Sequence, residues 1–171
     1  MNFLEQLVAE WYKYKGYFVR TNIKFGRRLA GGYTGEMDVV GYNPETQDFV
    51  HIETSTDSLS WDKRKEIFQR KFIDARKYYV SVFPMINQWG MKPREIVIVG
   101  FNMDGKEKFM TFSGQSNSFP NIKTEIIHIP KLIVEINTIL ANKNPQNDAI
   151  PETYPLLRAI QYSVFYNKKT T

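Results

Sequence analysis

Three features of the sequence predict an α/β fold in which helices flank a central mixed sheet. Apolar residues recur at three- and four-residue intervals in separate stretches, and β-branched or aromatic runs bounded by turn residues lie between them. The elements follow the order helix, three strands, helix, strand, so helices and strands share one core. At 171 residues the chain suits a single domain that buries roughly 70% of its unfolded surface without staples.

Residues 2–15 carry Phe3, Leu4, Leu7, Val8, Trp11 and Tyr14 on one helical stripe, and Gly16 stands where a C-terminal cap belongs. Tyr17 to Phe25 reads as a strand. Gly26 to Gly35 holds four of the ten glycines with Arg27 and Arg28, and predicts a long, basic, mobile loop. Glu36 to Tyr42 and Phe49 to Ser55 are two further strands, joined by a turn through Asn43 and Pro44 into an antiparallel hairpin. Ser58 or Ser60 caps a second helix from Trp61 to about Phe83, which Pro84 stops. Glu95 to Phe101 and Lys108 to Phe112 are read as another hairpin. A short strand from Glu125 to Ile129 and a helix from Lys131 to Leu140 follow. The domain reading is a core over residues 1–141, a linker over 142–155 and a C-terminal helix and tail over 156–171. That last helix packs on its own core or, in a homodimer, on a second subunit.

Hydrophobic residues at 42%, aromatics at 15% and charged residues at 24% exclude a disordered, collagenous or coiled-coil chain. The absence of cysteine excludes disulfide scaffolds, thiolate zinc sites and thiol nucleophiles, and His51 and His128 alone make a multi-histidine metal centre improbable. An excess of 23 Lys and Arg over 18 Asp and Glu favours a polyanionic partner. The opening residues lack the basic start and apolar run of a signal peptide, so a cytoplasmic protein without membrane association is expected. Gly100 to Glu107 mimics a phosphate-binding GxxxxGK, but Glu107 stands where Ser or Thr is required and a strand follows; Asn102 to Gly105 reads as a hairpin turn, and no small-molecule cofactor is expected.

Side-chain parity gathers the polar residues of the first hairpin. In a symmetric register Tyr42 faces Phe49, Val40 faces His51, Asp38 faces Glu53 and Glu36 faces Ser55. Directly opposed carboxylates about 4.5–5.5 Å apart at Cβ repel unless a positive group stands between them. Either these acids are solvated and paired with lysine and arginine, or they hold a hard cation such as Mg²⁺ or Mn²⁺ with a backbone carbonyl and waters. The apolar neighbours of both acids favour the second reading.

Helix 1 with Glu5, the strand after Gly16, Glu36-Met37-Asp38-Val39-Val40-Gly41, and Val50-His51-Ile52-Glu53-Thr54-Ser55 followed by a basic helix resemble the PD-(D/E)XK nuclease superfamily, over residues 1 to about 83. The resemblance implies a restriction endonuclease-like αβββαβ core and Mg²⁺- or Mn²⁺-dependent phosphodiester hydrolysis in DNA. By position it implies that Asp38 and Glu53 are the metal ligands and that Glu5 is the acid on the first helix. Met37 replaces the motif proline. Ser55 replaces the motif lysine, whose role passes in some divergent members to the following helix; Lys71, Gln69 and Lys65 are the candidates there, with Lys71 preferred. A catalytically inactive module that binds DNA or a protein is the alternative.

Residues 62–77 carry seven basic and three acidic side chains. Lys63, Arg70 and Lys77 repeat at seven-residue spacing, which describes either a solvated face or a phosphate-tracking stripe that continues to Arg27 and Arg28. His51 shares the face of Glu53 and reads as a structural residue or a substrate contact.

Overall fold

The computed structural model describes residues 2–100, 109–113 and 121–167, with side chains at 2–100 and 122–167. The turn expected at Asn102 to Gly105 lies outside these residues. The elements are α1 (Phe3–Tyr14), β1 (Phe18–Arg27), β2 (Tyr33–Asn43), β3 (Asp48–Ser55), α2 (Trp61–Arg76), α3 (Tyr79–Val82), α4 (Met85–Gln88), β4 (Arg94–Val99), β5 (Phe109–Ser113), β6 (Asn121–His128), α5 (Ile129–Leu140) and α6 (Pro155–Asn167). They form an α/β fold around one mixed sheet of order β1-β2-β3-β4-β6-β5.

β1, β2 and β3 are an antiparallel meander, β4 runs parallel to β3, β6 runs parallel to β4, and β5 closes the edge antiparallel to β6. The expected hairpin of the fourth and fifth strands does not form, because β6 inserts between them. Strand alternation sends Val50, Ile52, Ile96 and Ile98 to one face, where Leu4, Leu7, Val8 and Trp11 of α1, Leu132, Ile136 and Leu140 of α5 and Leu157 of α6 cover them. The opposite face carries Phe49, Val97 and Val99 under Phe68, Phe72 and Ala75 of α2 and Tyr79 of α3. Each such buried aliphatic or aromatic side chain stabilises by about 1.5–3 kcal/mol, so both layers contribute.

The second helix is shorter than its periodicity predicts. It ends at Arg76, Tyr78 N–H donates to the Ala75 carbonyl at 2.8 Å, and α3 and α4 follow as single turns. Pro84 is the N-cap of α4. Its ring disfavours the helical conformation at the residue before it, and Phe83 sits accordingly at φ −133° and ψ 76°. Tyr79 and Phe83 thereby pack edge-on against Phe49.

The segment from Gly26 to Gly35 is a tight hairpin rather than a long loop. The β1–β2 ladder continues to Arg27 opposite Tyr33, and Arg28 N–H donates to the Gly32 carbonyl at 3.0 Å. Gly26 must lack a side chain: its φ is +65°, and a Cβ there would meet Thr34 Oγ1 at 2.4 Å.

Residues 142–155 are held in place. Gln161 donates to the Lys143 and Asp148 carbonyls and accepts from Ile150 N–H, while Glu10 Oε2 accepts from Leu156 and Leu157 N–H. The closing helix therefore packs on the chain's own core. Among the described residues no helix is long and apolar enough to cross a membrane.

Candidate active site

The ladder between β2 and β3 runs from Asn43 opposite Asp48 to Val39 opposite Ile52, with Val40 opposite His51 as the parity argument requires. Beyond Val39 the pairing stops. Met37 and Val40 enter the same apolar cluster while Val39 enters the other, so strict alternation breaks at Asp38. In place of a ladder bond, Asp38 Oδ2 accepts from Thr54 N–H at 2.9 Å and from the Thr54 hydroxyl at 3.3 Å. Its other oxygen, Oδ1, is turned toward Lys71.

Lys71 fills the space between the two acids. On α2, Arg64, Phe68, Lys71 and Ala75 follow one another at four- and three-residue steps along the side that meets the sheet. Lys71 Nζ donates to Asp38 Oδ1 at 2.9 Å and to Glu53 Oε2. The repulsion expected between opposed carboxylates is neutralised by this ammonium. Burial raises the Asp38 carboxyl above the ordinary aspartate value, the neighbouring Glu53 charge adds to this, and Lys71 opposes both. Burial likewise raises Glu53. Burial alone would lower Lys71, but the charges of Glu53 and Asp38 hold it above the ordinary lysine value.

Behind Glu53 runs a buried polar chain. His51 Nε2 lies 2.7 Å from Glu53 Oε1, His51 Nδ1 lies 2.6 Å from the Tyr79 hydroxyl, and that hydroxyl lies 3.1 Å from Glu95 Oε1. Arg76 Nε and an Arg76 terminal nitrogen donate to the two Glu95 oxygens at 2.8 and 2.7 Å, and the Thr124 hydroxyl donates to Glu95 Oε2 at 3.1 Å. His51, Glu53, Arg76, Glu95 and Thr124 are all buried. Glu95 thus accepts from Arg76, Thr124 and the Tyr79 hydroxyl together. Burial pushes the imidazole down to about 4, against a fixed positive charge on His51.

His51 is therefore a structural residue, walled off from any substrate. Sequence pattern alone does not reveal the pairing of Glu95 with Arg76, Thr124 and Tyr79, because Arg76 stands in the sequence as one of seven basic residues between 62 and 77. A glutamate leading the Ile96–Val99 apolar run was the available sign that an acid enters the core.

Two clefts open on either side of Lys71. One, of about 450 Å³, is lined by Arg28, Gly35, Glu36, Asp38, Arg70 and Lys71. The other, of about 290 Å³, includes Thr54, Ser55, Asp57, Arg64 and Lys71. Ser55 donates to Asp57 Oδ2, and Asp57 Oδ1 accepts from Arg64 Nε at 2.8 Å, so Ser55 braces the loop before α2. Lys63, Arg70 and Lys77 are exposed, as are Arg27 and Arg28; Lys77 pairs with Asp74 at 2.6 Å. Gln69 is exposed, and Lys65 pairs with Asp62 at 3.3 Å on the first turns of α2.

Glu5 is held by its own helix and by β1. It forms a capping box with Asn2 at the start of α1 and accepts from Asn22 Nδ2 at 3.4 Å, which also donates to Glu36 at 3.0 Å. The Asn2-x-x-Glu5 spacing carries that signal in the sequence. Among the described residues no three His, Cys, Asp or Glu side chains are grouped to hold a metal. The protein side chains available to a cation at Asp38 and Glu53 are thus two carboxylates.

Comparison with family models, characterised proteins and solved structures finds no match.

Proposed function

We propose that this chain is a divalent-cation-dependent DNA endonuclease with a restriction endonuclease-like core, its cation held by Asp38 and Glu53. One observation carries the reading: acids from two strands and a lysine from the following helix converge at the end of the β2–β3 ladder, although Ser55 occupies the motif position. The order of α1, the β1–β3 meander, α2 and a β4 parallel to β3 supports it.

The donor set fits Mg²⁺ or Mn²⁺. Asp38 Oδ1 and Glu53 Oε2 already face one positive centre, and their partner oxygens are fixed by Thr54 and His51. When bound, such a cation supplies an acidified water and charge stabilisation at the phosphoryl oxygen. Lys71 borders both clefts, so its ammonium can shift from the carboxylates to the scissile phosphate and hold the attacking water in line. Arg28 and Arg70 face the same cleft as Asp38 and give flanking phosphates charge-assisted donors.

Incubation with supercoiled plasmid and Mg²⁺ or Mn²⁺, with and without chelator, tests this directly. Nicking that the chelator stops is expected, together with loss of calorimetric Mn²⁺ binding in both Asp38→Asn and Glu53→Gln. Unchanged Mn²⁺ affinity in both variants would remove the site. A DNA-binding module without catalysis is the second reading, favoured by Ser55 at the position where the resemblance implies a lysine, and it predicts DNA retention with no nicking under any condition.

Binding itself has a separate signature. Replacing Lys63, Arg70 and Lys77 together by glutamine should weaken binding to all sequences alike and reduce the slope of log affinity against log salt by about one per lost phosphate contact, at most about three. A slope equal to the parent's would identify the three as an ordinary solvated surface.

A further inference from the structure

The β1–β2 hairpin projects a side chain that the nuclease reading does not use. Leu29, at its tip, is fully exposed. A lone exposed leucine is ordinary on a protein surface. This one is placed differently: Arg27 and Arg28 precede it, Gly31 and Gly32 close the turn at φ +89° and +78°, and Tyr33, itself exposed, has Lys24 Nζ 5.7 Å from its ring.

The projection is held firmly. Gly31 N–H donates to the Arg28 carbonyl at 3.1 Å, and Arg28 N–H donates back to Gly32 at 3.0 Å. The Thr34 hydroxyl donates to the Gly26 carbonyl at 3.0 Å, and the Phe25 ring packs 5.2 Å from Tyr78 beneath the hairpin. A tip already closed by these bonds loses little conformational entropy when it inserts into a partner. Arg28 lines the cleft that contains Asp38 and Lys71, so the hairpin leads outward from the candidate active site. From Asp38 to Tyr33 are five strand residues, about 17 Å at roughly 3.3 Å each, or about five base-pair rises along a duplex.

We propose that the β1–β2 hairpin is a base-step wedge: with Arg27 and Arg28 on the phosphates, Leu29 inserts between stacked bases of double-stranded DNA whose backbone lies along the Asp38–Lys71 cleft. The proposal rests on the nuclease reading for the direction of the DNA and names the substrate as a duplex opened near the cleaved bond. An apolar side chain beside paired cations is a combination that unstacks a step, because the cations bind neighbouring phosphates while the aliphatic wedge replaces base-base contact. A protein partner or a membrane would also accept an exposed leucine. The cleft that Arg28 and Arg70 share with Asp38 and Lys71 favours DNA.

The 171-residue chain is titrated, in chelator so that no cleavage occurs, onto a short duplex containing 2-aminopurine, whose fluorescence rises on unstacking. The parent should raise the fluorescence several-fold at saturation. Leu29→Ser should lose that rise while keeping the salt slope of binding, since no charge is removed; its melting temperature, expected to equal the parent's for so exposed a position, verifies that it is folded. DNA binding without a rise, or a rise that Leu29→Ser retains, overturns the wedge and leaves the nuclease reading standing. Failure of the parent to bind the duplex overturns the wedge, and plasmid nicking then decides the nuclease reading separately. Co-sedimentation with phosphatidylserine vesicles that depends on Leu29, in the absence of any unstacking, assigns the tip to a membrane and likewise overturns the wedge.

Discussion

Lys71→Met is expected to abolish plasmid nicking while retaining Mn²⁺ binding. A positioned acid–base or charge-stabilising group contributes about 10²–10⁴ in rate, and Lys71 is the ammonium that touches both candidate metal ligands. The same substitution leaves Asp38 and Glu53 facing each other with nothing positive between them. Metal-free stability should therefore fall by up to about 3 kcal/mol, the lower end for a broken buried pair, because Lys71 remains partly exposed. Mn²⁺ should restore it by mass action. Ser55→Lys provides the comparison, since Ser55 borders the cleft that already contains Lys71, and a second ammonium there should add little. Undiminished nicking by Lys71→Met, or a large gain from Ser55→Lys, would take the lysine role away from α2.

The second large effect concerns stability alone. Arg76 and Glu95 are a bidentate ion pair with both side chains wholly buried, and Tyr79 and Thr124 donate to the same carboxylate. Arg76→Met leaves a buried, uncompensated Glu95, which costs about 3–5 kcal/mol. At about 2–4 °C per kcal/mol for a chain of this size, the melting temperature should drop by roughly 6–20 °C. Adding Glu95→Gln to Arg76→Met should recover much of the loss, because an uncharged amide can still meet Tyr79 and Thr124. A drop of under a few degrees in the single variant, measured by thermal melts at neutral pH, would show that water or another cation already compensates Glu95.

The parts of this site that depend on short-range pattern were readable in the sequence. Strand parity placed Asp38 and Glu53 on one face, and the observed register confirms Val40 opposite His51. The resemblance, not a spacing rule, made Lys71 the preferred stand-in for a lysine at Ser55, and its ammonium contacts both acids. The polar chain behind Glu53 was not readable, since it joins residues from β3, α2, α3, β4 and β6, and no local pattern reports such pairings. Arg76 misled for the same reason: one basic residue among seven looks solvated until β4 supplies Glu95. The break after Arg76 escaped because Phe72 and Ala75 before it and Tyr79 and Val82 after it keep helical spacing across it. The hairpin expected of the fourth and fifth strands failed because adjacency in sequence, a sound rule for β2 and β3, is overridden when a later strand inserts between neighbours.

That insertion has a consequence for how the chain is made. β4 pairs on one side with β3, already synthesised, but its other edge waits for β6. At ribosomal rates of about 5–20 residues per second, the interval between the appearance of Val99 and of His128 is on the order of 1.5–6 s. Throughout it, the Ile96–Val99 run offers unpaired backbone groups and bare apolar side chains to any neighbouring strand. A nascent chain arrested between these points should be sticky and bound by holdase chaperones, and release at His128 should end that binding.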